Sequence, residues 1–384
     1  MKLMIFLSRF PYPLEKGDKL RAFYQIKELS KHFEIYLFAA NYGKVEKSHL
    51  KKLSPYCKEI EVVKLSKAQI LWNLIKSPFL GLPFHVGYFF STSVKKRAEE
   101  FARKINPDRL YCQLIRTAPF VEDIEGIKIL DFQDAFSLNA SRRAERASFL
   151  KPILLWESKM LLAYEHKMAE IFKRKVIISE PDRVALKLPK ENIVIVPNGI
   201  DNEFFSPRIV KKKYSISFVG NMSYPPNVDA VQFLANSILH LVWKVKPDVT
   251  FLIAGANPTS AVRQLANEKI KVTGWVEDIR DAYAEAELFI APMRIGSGLQ
   301  NKLLEAMAMG IPSITTKLAN DSLGAQHNHH LLVGETAEEL AALILEVLSD
   351  KELCEKIGAK GLQFVLENYG WNESTQPLVD LIKQ

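Results

Sequence analysis

Residues 287–316 read ELFIAPMRIGSGLQNKLLEAMAMGIPSITT. An apolar, strand-like run ending at Ala291 is followed by Gly296 and Gly298 around Ser297. Lys302 and Glu305 come next, three residues apart, on a short Ala/Met helix closed by Gly310 and Pro312. Glycines after a strand let the backbone turn sharply and approach a ligand with no Cβ in the way. A helix opening near Leu299, Gln300 and Asn301 would aim its free N–H groups and positive dipole end at the same pocket, the outline of a phosphate site. Lys302 adds a full positive charge in the first turn. Glu305, one turn on, offers two acceptor oxygens to the adjacent hydroxyls of a ribose. Spacing alone leaves a second reading open, a surface Lys–Glu pair at i, i+3 on an ordinary helix.

Outward from this stretch, short apolar runs alternate with helical patterns along the whole chain. KLMIFLS, KLRAFYQIKELSKH and FEIYLFAA make a strand–helix–strand opening, which implies a parallel sheet. Further strands are expected in EIEVVKL, DRLYCQL, IKILDF, KVIIS and NIVIVPN. Between them ILLWESKMLLAYEHKMAEIFKRK reads as a long amphipathic helix whose apolar positions Leu154, Leu155, Leu161, Leu162, Met168 and Phe172 mostly form one face. A second series runs through SISFVG, VTFLIAG, IKVTG, ELFIAP, PSITT and HLLVG, then ends in helices with capping boxes expected at Thr336/Glu339 and Ser349/Glu352. Turn residues and a charge run in PNGIDNEFFSPRIVKKKY separate the two series. The expectation is two doubly wound α/β domains, residues 1–200 and 201–370, with a helix in 371–384 packing back toward the first. Ligands in such sheets bind beyond the carboxyl ends of the strands, and two domains would face each other across a cleft.

Length and composition agree with this. A chain of 384 residues, 48% apolar and 25% charged, suits two cores of ordinary soluble composition. The apolar run at Leu3 to Leu7 is too short for a leader and reads as a buried strand, and no window suggests a membrane span. Cys57, Cys112 and Cys354 lack CxxC spacing and fit a reducing compartment. Charge divides unevenly: residues 1–200 carry 35 Lys+Arg against 22 Asp+Glu, and residues 201–384 carry 17 against 22. The basic half is expected to meet something anionic. Its basic residues are dispersed and no nucleic-acid module is recognisable, so an anionic membrane surface is the economical partner. Residues 68–91, AQILWNLIKSPFLGLPFHVGYFFS, either touch such a surface or fold into the first core.

The stretch R-x-G-S-G-x-x-x-K-x-x-E-A-M-A-M-G-x-P resembles the donor-binding signature of glycosyltransferase family four, the GT-B retaining sugar transferases. VPNGIDNEFFSP resembles that family's interdomain segment, FVGNMSYPPNVDA its loop after the second domain's first strand, and TGWVEDIRDAYAEAELFIAP its base-binding region. LSRFPYPLEKGDKLR resembles its phosphate- and acceptor-facing loop. FPYPLEKGDKLR and RIGSGLQNKLLEAMAMG are especially similar to bacterial sugar transferases of exopolysaccharide and exosortase systems. The resemblance implies two Rossmann-like domains and a nucleotide-diphosphate sugar donor held by Gly220, Asn221, Val276, Gly296, Ser297, Gly298, Leu299, Gln300, Lys302 and Glu305. An acceptor loop would use Arg9, Gly17, Lys19 and Arg21. The acceptor would be a lipid-linked or polysaccharide glycan, in the cytoplasm or on the inner face of its membrane.

Three departures stand out. Ser297 occupies the first position of the family's E-x7-E motif, whose second glutamate is Glu305. Asn227 stands where a cation is usual, leaving Lys302 as the main charge on the diphosphate with Arg9 or Arg294 assisting. The comparable first-domain loop, ILDFQDAFSLNASRRAER, has no histidine but offers Asp131 and Asp134. Asp134 is the candidate catalytic group beside Lys302, or else a turn or helix cap. No metal or other cofactor is expected, and His327, His329 and His330 read as a solvated loop rather than a zinc site. A sugar-nucleotide epimerase and a non-catalytic sugar-nucleotide-binding scaffold are the competing classes.

Overall fold

A computed structural model describes residues 1–14, 16–146, 149–296 and 299–384. The chain divides into two units, residues 1–197 with 374–384 and residues 198–373.

The first unit holds seven parallel strands, β1 (Lys2–Leu7), β2 (Glu34–Tyr42), β3 (Glu59–Leu65), β4 (Arg109–Gln113), β5 (Ile127–Asp131), β6 (Arg174–Ile177) and β7 (Val194–Ile195), in the order 3-2-1-4-5-6-7. Central strands covered on both faces must be apolar throughout, and β1 is buried from Leu3 to Leu7. Alternation then sorts its side chains. Met4 and Phe6 join Phe38, Leu110 and Cys112 in one core, while Leu3, Ile5 and Leu7 join Ile35, Leu37 and Tyr111 in the other. The second core also takes Leu378, Val379 and Ile382 from the C-terminal helix Trp371–Lys383, and Arg109 Nε donates to the Ile382 carbonyl at 3.0 Å.

The second unit repeats the plan with β8 (Tyr214–Val219), β9 (Phe251–Ala254), β10 (Ile270–Gly274), β11 (Ala286–Ala291), β12 (Ser313–Thr315) and β13 (Leu332–Val333), ordered 10-9-8-11-12-13. Each sheet therefore reverses its winding once, between β1 and β4 and between β8 and β11. Those switch points open a crevice at the carboxyl ends of the strands.

Two local readings are corrected. Thr336 and Glu339 do form a capping box, but Ser349 belongs to the preceding helix and Asp350 caps the next one through Leu353 N–H. Ser349 is still the last residue of its own helix, whereas Asp350, with φ −119° and ψ 98°, has the extended backbone that an N-cap requires. The long helix Lys151–Ile171 buries Leu161, Tyr164 and Met168 as the spacing requires, yet Leu155 points outward, and two glutamates are buried in its stead. Glu157 accepts the Phe84 and His85 N–H groups, both at 2.9 Å, and Glu165 accepts Ser137 N–H at 3.2 Å. Glu157 is thus satisfied on both oxygens, whereas Glu165 Oε2 has no partner among the described residues and burial raises that carboxyl to about 7.

Candidate active site

At the second unit's switch point, Gly220 and Asn221 leave β8 while Met293 to Gly296 leave β11. The loop after β8 turns back on itself: Asn227 Nδ2 donates to the Asn221 carbonyl at 2.9 Å, and Asn221 Oδ1 caps Ser223. A Cβ at residue 220 would lie 2.6 Å from Asn227 Nδ2 and displace that side chain, and only glycine fits at Gly255, where a Cβ would lie 1.8 Å from the Gly220 carbonyl oxygen. Gly296 has φ +117°, a conformation that L side chains rarely adopt, as the β11 loop bends toward the next helix. Ser297 and Gly298, expected in this loop, lie outside the described residues.

That helix spans Asn301–Ala308 with Gln300 as N-cap, and no side chain caps it. Lys302 therefore sits in the first turn, where the helix dipole opposes a positive charge. Its ammonium donates to Asn227 Oδ1 at 2.8 Å and to Gln300 Oε1 at 3.3 Å, and lies 5.2 Å over the Phe218 ring. Neither oxygen carries a formal charge. Burial lowers the ammonium to about 8, with Glu305 pulling the other way. Glu305, enclosed on most sides, is pushed up to about 7 by burial, against the Tyr283 hydroxyl, which donates to its carboxylate at 2.5 Å, and Lys302. Leu299 packs on the core and Val276 lies half-buried in the loop after β10. Arg294, expected to assist Lys302, is instead engaged by Asp229 at 2.8 and 3.1 Å.

The first unit's switch point carries a second charged cluster. Ser8 and Arg9 leave β1, and Arg116 lies in the 3-10 turn Ile115–Phe120 after β4. Arg116 donates to Ser8 Oγ and to Asp18 Oδ2, both at 2.6 Å, and Arg9 shares that Asp18 oxygen at 3.0 Å. Both guanidiniums lie over the Phe89 ring, at 4.5 and 5.4 Å. Burial and the neighbouring Arg9 lower Arg116 to about 10. Burial, then Arg116 and Arg9, also lowers His85 to about 3, so its imidazole is neutral. Two cations sharing one described carboxylate against an aromatic wall favour an incoming anion.

The acceptor-loop residues fall in different places. Gly17 opens the helix Gly17–Leu29, and a Cβ there would meet nothing within 4 Å, so this turn is open. Lys19 is in its first turn. Arg21 is a correction: it is wholly buried, its Nε 2.8 Å from the equally buried Asp131. One helical turn beyond Gly17 faces the sheet, and the Asp131 carboxylate, also bonded by Tyr111 at 2.8 Å, draws the guanidinium inward. Asp134, in the turn after β5, takes no hydrogen bond from the described residues, so no cap role is seen. Burial, then Asp182, raises its carboxyl to about 7. Its own helix start is served elsewhere, since Asp182 accepts Ala135 N–H at 3.2 Å. His327 and His330 use Nδ1 to accept the backbone N–H groups of Val333 and Gln326.

With this geometry in view, residues 213–350 match the family model described as Glycosyl transferases group 1. The second unit is a group 1 glycosyl transferase domain. Over the whole chain, an uncharacterized 44.6 kDa protein in the cps region of Klebsiella pneumoniae is 21% identical, covering 96% of each chain. A GDP-mannose-dependent alpha-(1-6)-phosphatidylinositol monomannoside mannosyltransferase of Mycobacterium tuberculosis is 23% identical over 51% of this chain and 57% of its own. Among solved structures, Anabaena HepE in complex with UDP has a TM-score of 0.71 at 13% identity, covering 100% of both chains. The chain thus has the two Rossmann-like units of the GT-B fold.

Asn227 was noticed in the sequence only as a missing cation, whereas it orients Lys302. Tyr283, Arg116 and His85 were not foreseen as site residues. A lone arginine in the buried run YCQLIRTAPF, directly after a strand, was the available signal. The structure adds a second: Leu114 has φ +71° at the end of β4, and such strain in a non-glycine residue clusters at functional turns.

Proposed function

We propose that this chain is a retaining glycosyltransferase that moves a sugar from a nucleotide-diphosphate sugar to a lipid-linked or polysaccharide acceptor in cell-surface glycan synthesis. Lys302 carries the reading. An enclosed ammonium at the positive end of a helix weakens an empty protein, and becomes favourable when a diphosphate arrives. The Asn301 and Lys302 N–H groups, the Gly220 turn and Gly296 would surround the phosphates, with Glu305 accepting from the ribose hydroxyls. Val276 would lie by the base.

In the transfer, the acceptor hydroxyl oxygen bonds to the anomeric carbon as the bond from that carbon to the diphosphate oxygen breaks. The electron pair leaves with the diphosphate, where Lys302 and the helix N–H groups stabilise the developing charge. Asp134, with its carboxyl near 7, is suited to take the acceptor's proton. Arg9 and Arg116 would hold an anionic acceptor group. No step here calls on a metal. The cps-region relative supports the pathway, and the mannosyltransferase and the UDP-bound neighbour support a nucleotide-sugar donor without agreeing on its base.

A thermal-shift and calorimetric screen of wild type and Lys302→Ala against UDP, GDP, ADP and dTDP sugars, with and without EDTA, tests the reading. One nucleotide should stabilise the wild type regardless of EDTA, and the variant should lose that response. Binding of none would leave a scaffold role as the better account.

A further inference from the structure

Residues 68–91 divide between two fates. Ile70, Val86 and Phe89 are buried in the first unit's core, while Leu71, Trp72, Ile75, Phe79 and Leu80 face solvent. Trp72 is 56% and Phe79 87% exposed, values an isolated soluble domain seldom tolerates in consecutive turns. The helix Lys67–Lys76 thus presents one apolar stripe inward and another outward. The start of the helix Lys151–Ile171 adds Phe149, Leu150, Ile153 and Trp156, with Phe149 91% exposed. The two segments that carry these groups are joined at Phe84 and His85. Trp156 packs on Phe84 with ring centroids 5.1 Å apart, and Glu157 receives the N–H groups of Phe84 and His85.

The stretch of chain that carries this face is basic, although Lys95 and Arg97, on the helix Thr92–Ile105, are ion-paired with Glu122, Asp123, Glu61 and Glu100. Between Glu61 and Glu99 the chain has no acidic residue and six basic ones, Lys64, Lys67, Lys76, Lys95, Lys96 and Arg97. Lys67, Lys76 and Lys151 are exposed at its edges, and Lys76 Nζ lies 4.7 Å over the Trp72 ring. Exposed aromatics among lysines suit an interface of apolar chains below anionic head groups, where the ring enters and the ammonium stays in the head-group layer. No helix among the described residues is long and apolar enough to cross a membrane.

We infer that the face formed by Leu71, Trp72, Ile75, Phe79, Phe149 and Ile153 docks the first unit onto an anionic lipid surface. This deepens the proposed function by naming where a lipid-linked acceptor would be met. The segment from Phe79 to Phe89 runs from this face to the aromatic wall beneath Arg9 and Arg116, so docking and acceptor binding share one stretch of chain.

The test is cosedimentation of the full chain with phosphatidylcholine vesicles, with or without phosphatidylglycerol, at low and high salt. Wild type should pellet with the anionic vesicles and be released by salt. Joint Trp72→Ser and Phe79→Ser substitution should weaken partition at least about tenfold, since two interfacial aromatics are withdrawn. Lys67→Glu should weaken it about fivefold or more and flatten the salt dependence. Melting curves and the nucleotide response, read in the same variants without vesicles, should be unchanged. Failure of nucleotide binding with intact lipid binding would strike the donor reading alone. Indifference of wild type to anionic lipid would overturn the inference, as would a wild-type dimer in light scattering that Trp72→Ser and Phe79→Ser dissolve without any lipid effect.

Discussion

Replacing Lys302 by methionine should strengthen the empty protein and disable the loaded one. The ammonium titrates at about 8 in place of 10.5. A tenfold change in a proton equilibrium is about 1.4 kcal/mol, so carrying this charge in the empty site costs on the order of 3 kcal/mol. Methionine keeps the stem and removes the charge, but leaves Asn227 Oδ1 without its donor, a loss of about 1 kcal/mol. The net expectation at pH 7 is a gain of about 2 kcal/mol, or a melting temperature higher by roughly 4–8 °C. Nucleotide binding moves the other way. Loss of a charge-assisted contact to phosphate should cost about 1.5–3 kcal/mol, or roughly 10- to 150-fold in Kd. The pH dependence has a definite sign. From about 8 to 10.5 the unfolded chain holds a proton at Lys302 that the folded one has lost, so wild-type stability should rise with pH relative to Lys302→Met. Nucleotide affinity should fall over that range. Calorimetric titration and thermal melting of both proteins at several pH values decide it. A destabilised Lys302→Met with nucleotide affinity within twofold of wild type would refute the reasoning and make Lys302 a structural residue.

Three further outcomes are expected. Arg21→Met removes one partner of a fully buried ion pair and should cost about 3–5 kcal/mol in denaturant unfolding, with no preferential effect on acceptor binding. Gly17→Ala adds a methyl group where nothing lies within 4 Å, so stability should change by no more than about 1 kcal/mol; a raised acceptor KM at unchanged melting temperature would place a ligand against this turn. Tyr283→Phe removes the hydroxyl that donates to Glu305, which should push that carboxyl further above 7 and weaken nucleotide binding at neutral pH by about tenfold, measured by calorimetry.

The strands were legible because buried parallel strands must be apolar on both faces, and runs such as KLMIFLS and ELFIAP have no other economical fate. Gly220 and Gly296 were legible for a related reason: backbone that bends beside a packed loop admits little else. Side-chain direction was less accessible. Arg21 lies in the helix after β1 and Arg116 in the turn after β4, yet one is sealed against Asp131, 110 positions further on, and the other lies over Phe89, 27 positions back, so the difference is made by residues from other elements. Helical spacing likewise could not anticipate that Glu157 and Glu165 would be buried, because their partners Phe84, His85 and Ser137 come from other elements. Asn227 illustrates both limits: its place in the loop was plain, but its role as the oxygen that holds Lys302 requires the fold.

The central claim is that a donor diphosphate sits at the start of the helix Asn301–Ala308. A crystal structure of the chain with a bound nucleoside diphosphate tests it most directly. The account predicts phosphate oxygens within hydrogen-bonding distance of the Lys302 ammonium and the first helical N–H groups, with the ribose against Glu305. A nucleotide bound elsewhere, with Lys302 still held by Asn227 and Gln300 alone, would contradict it.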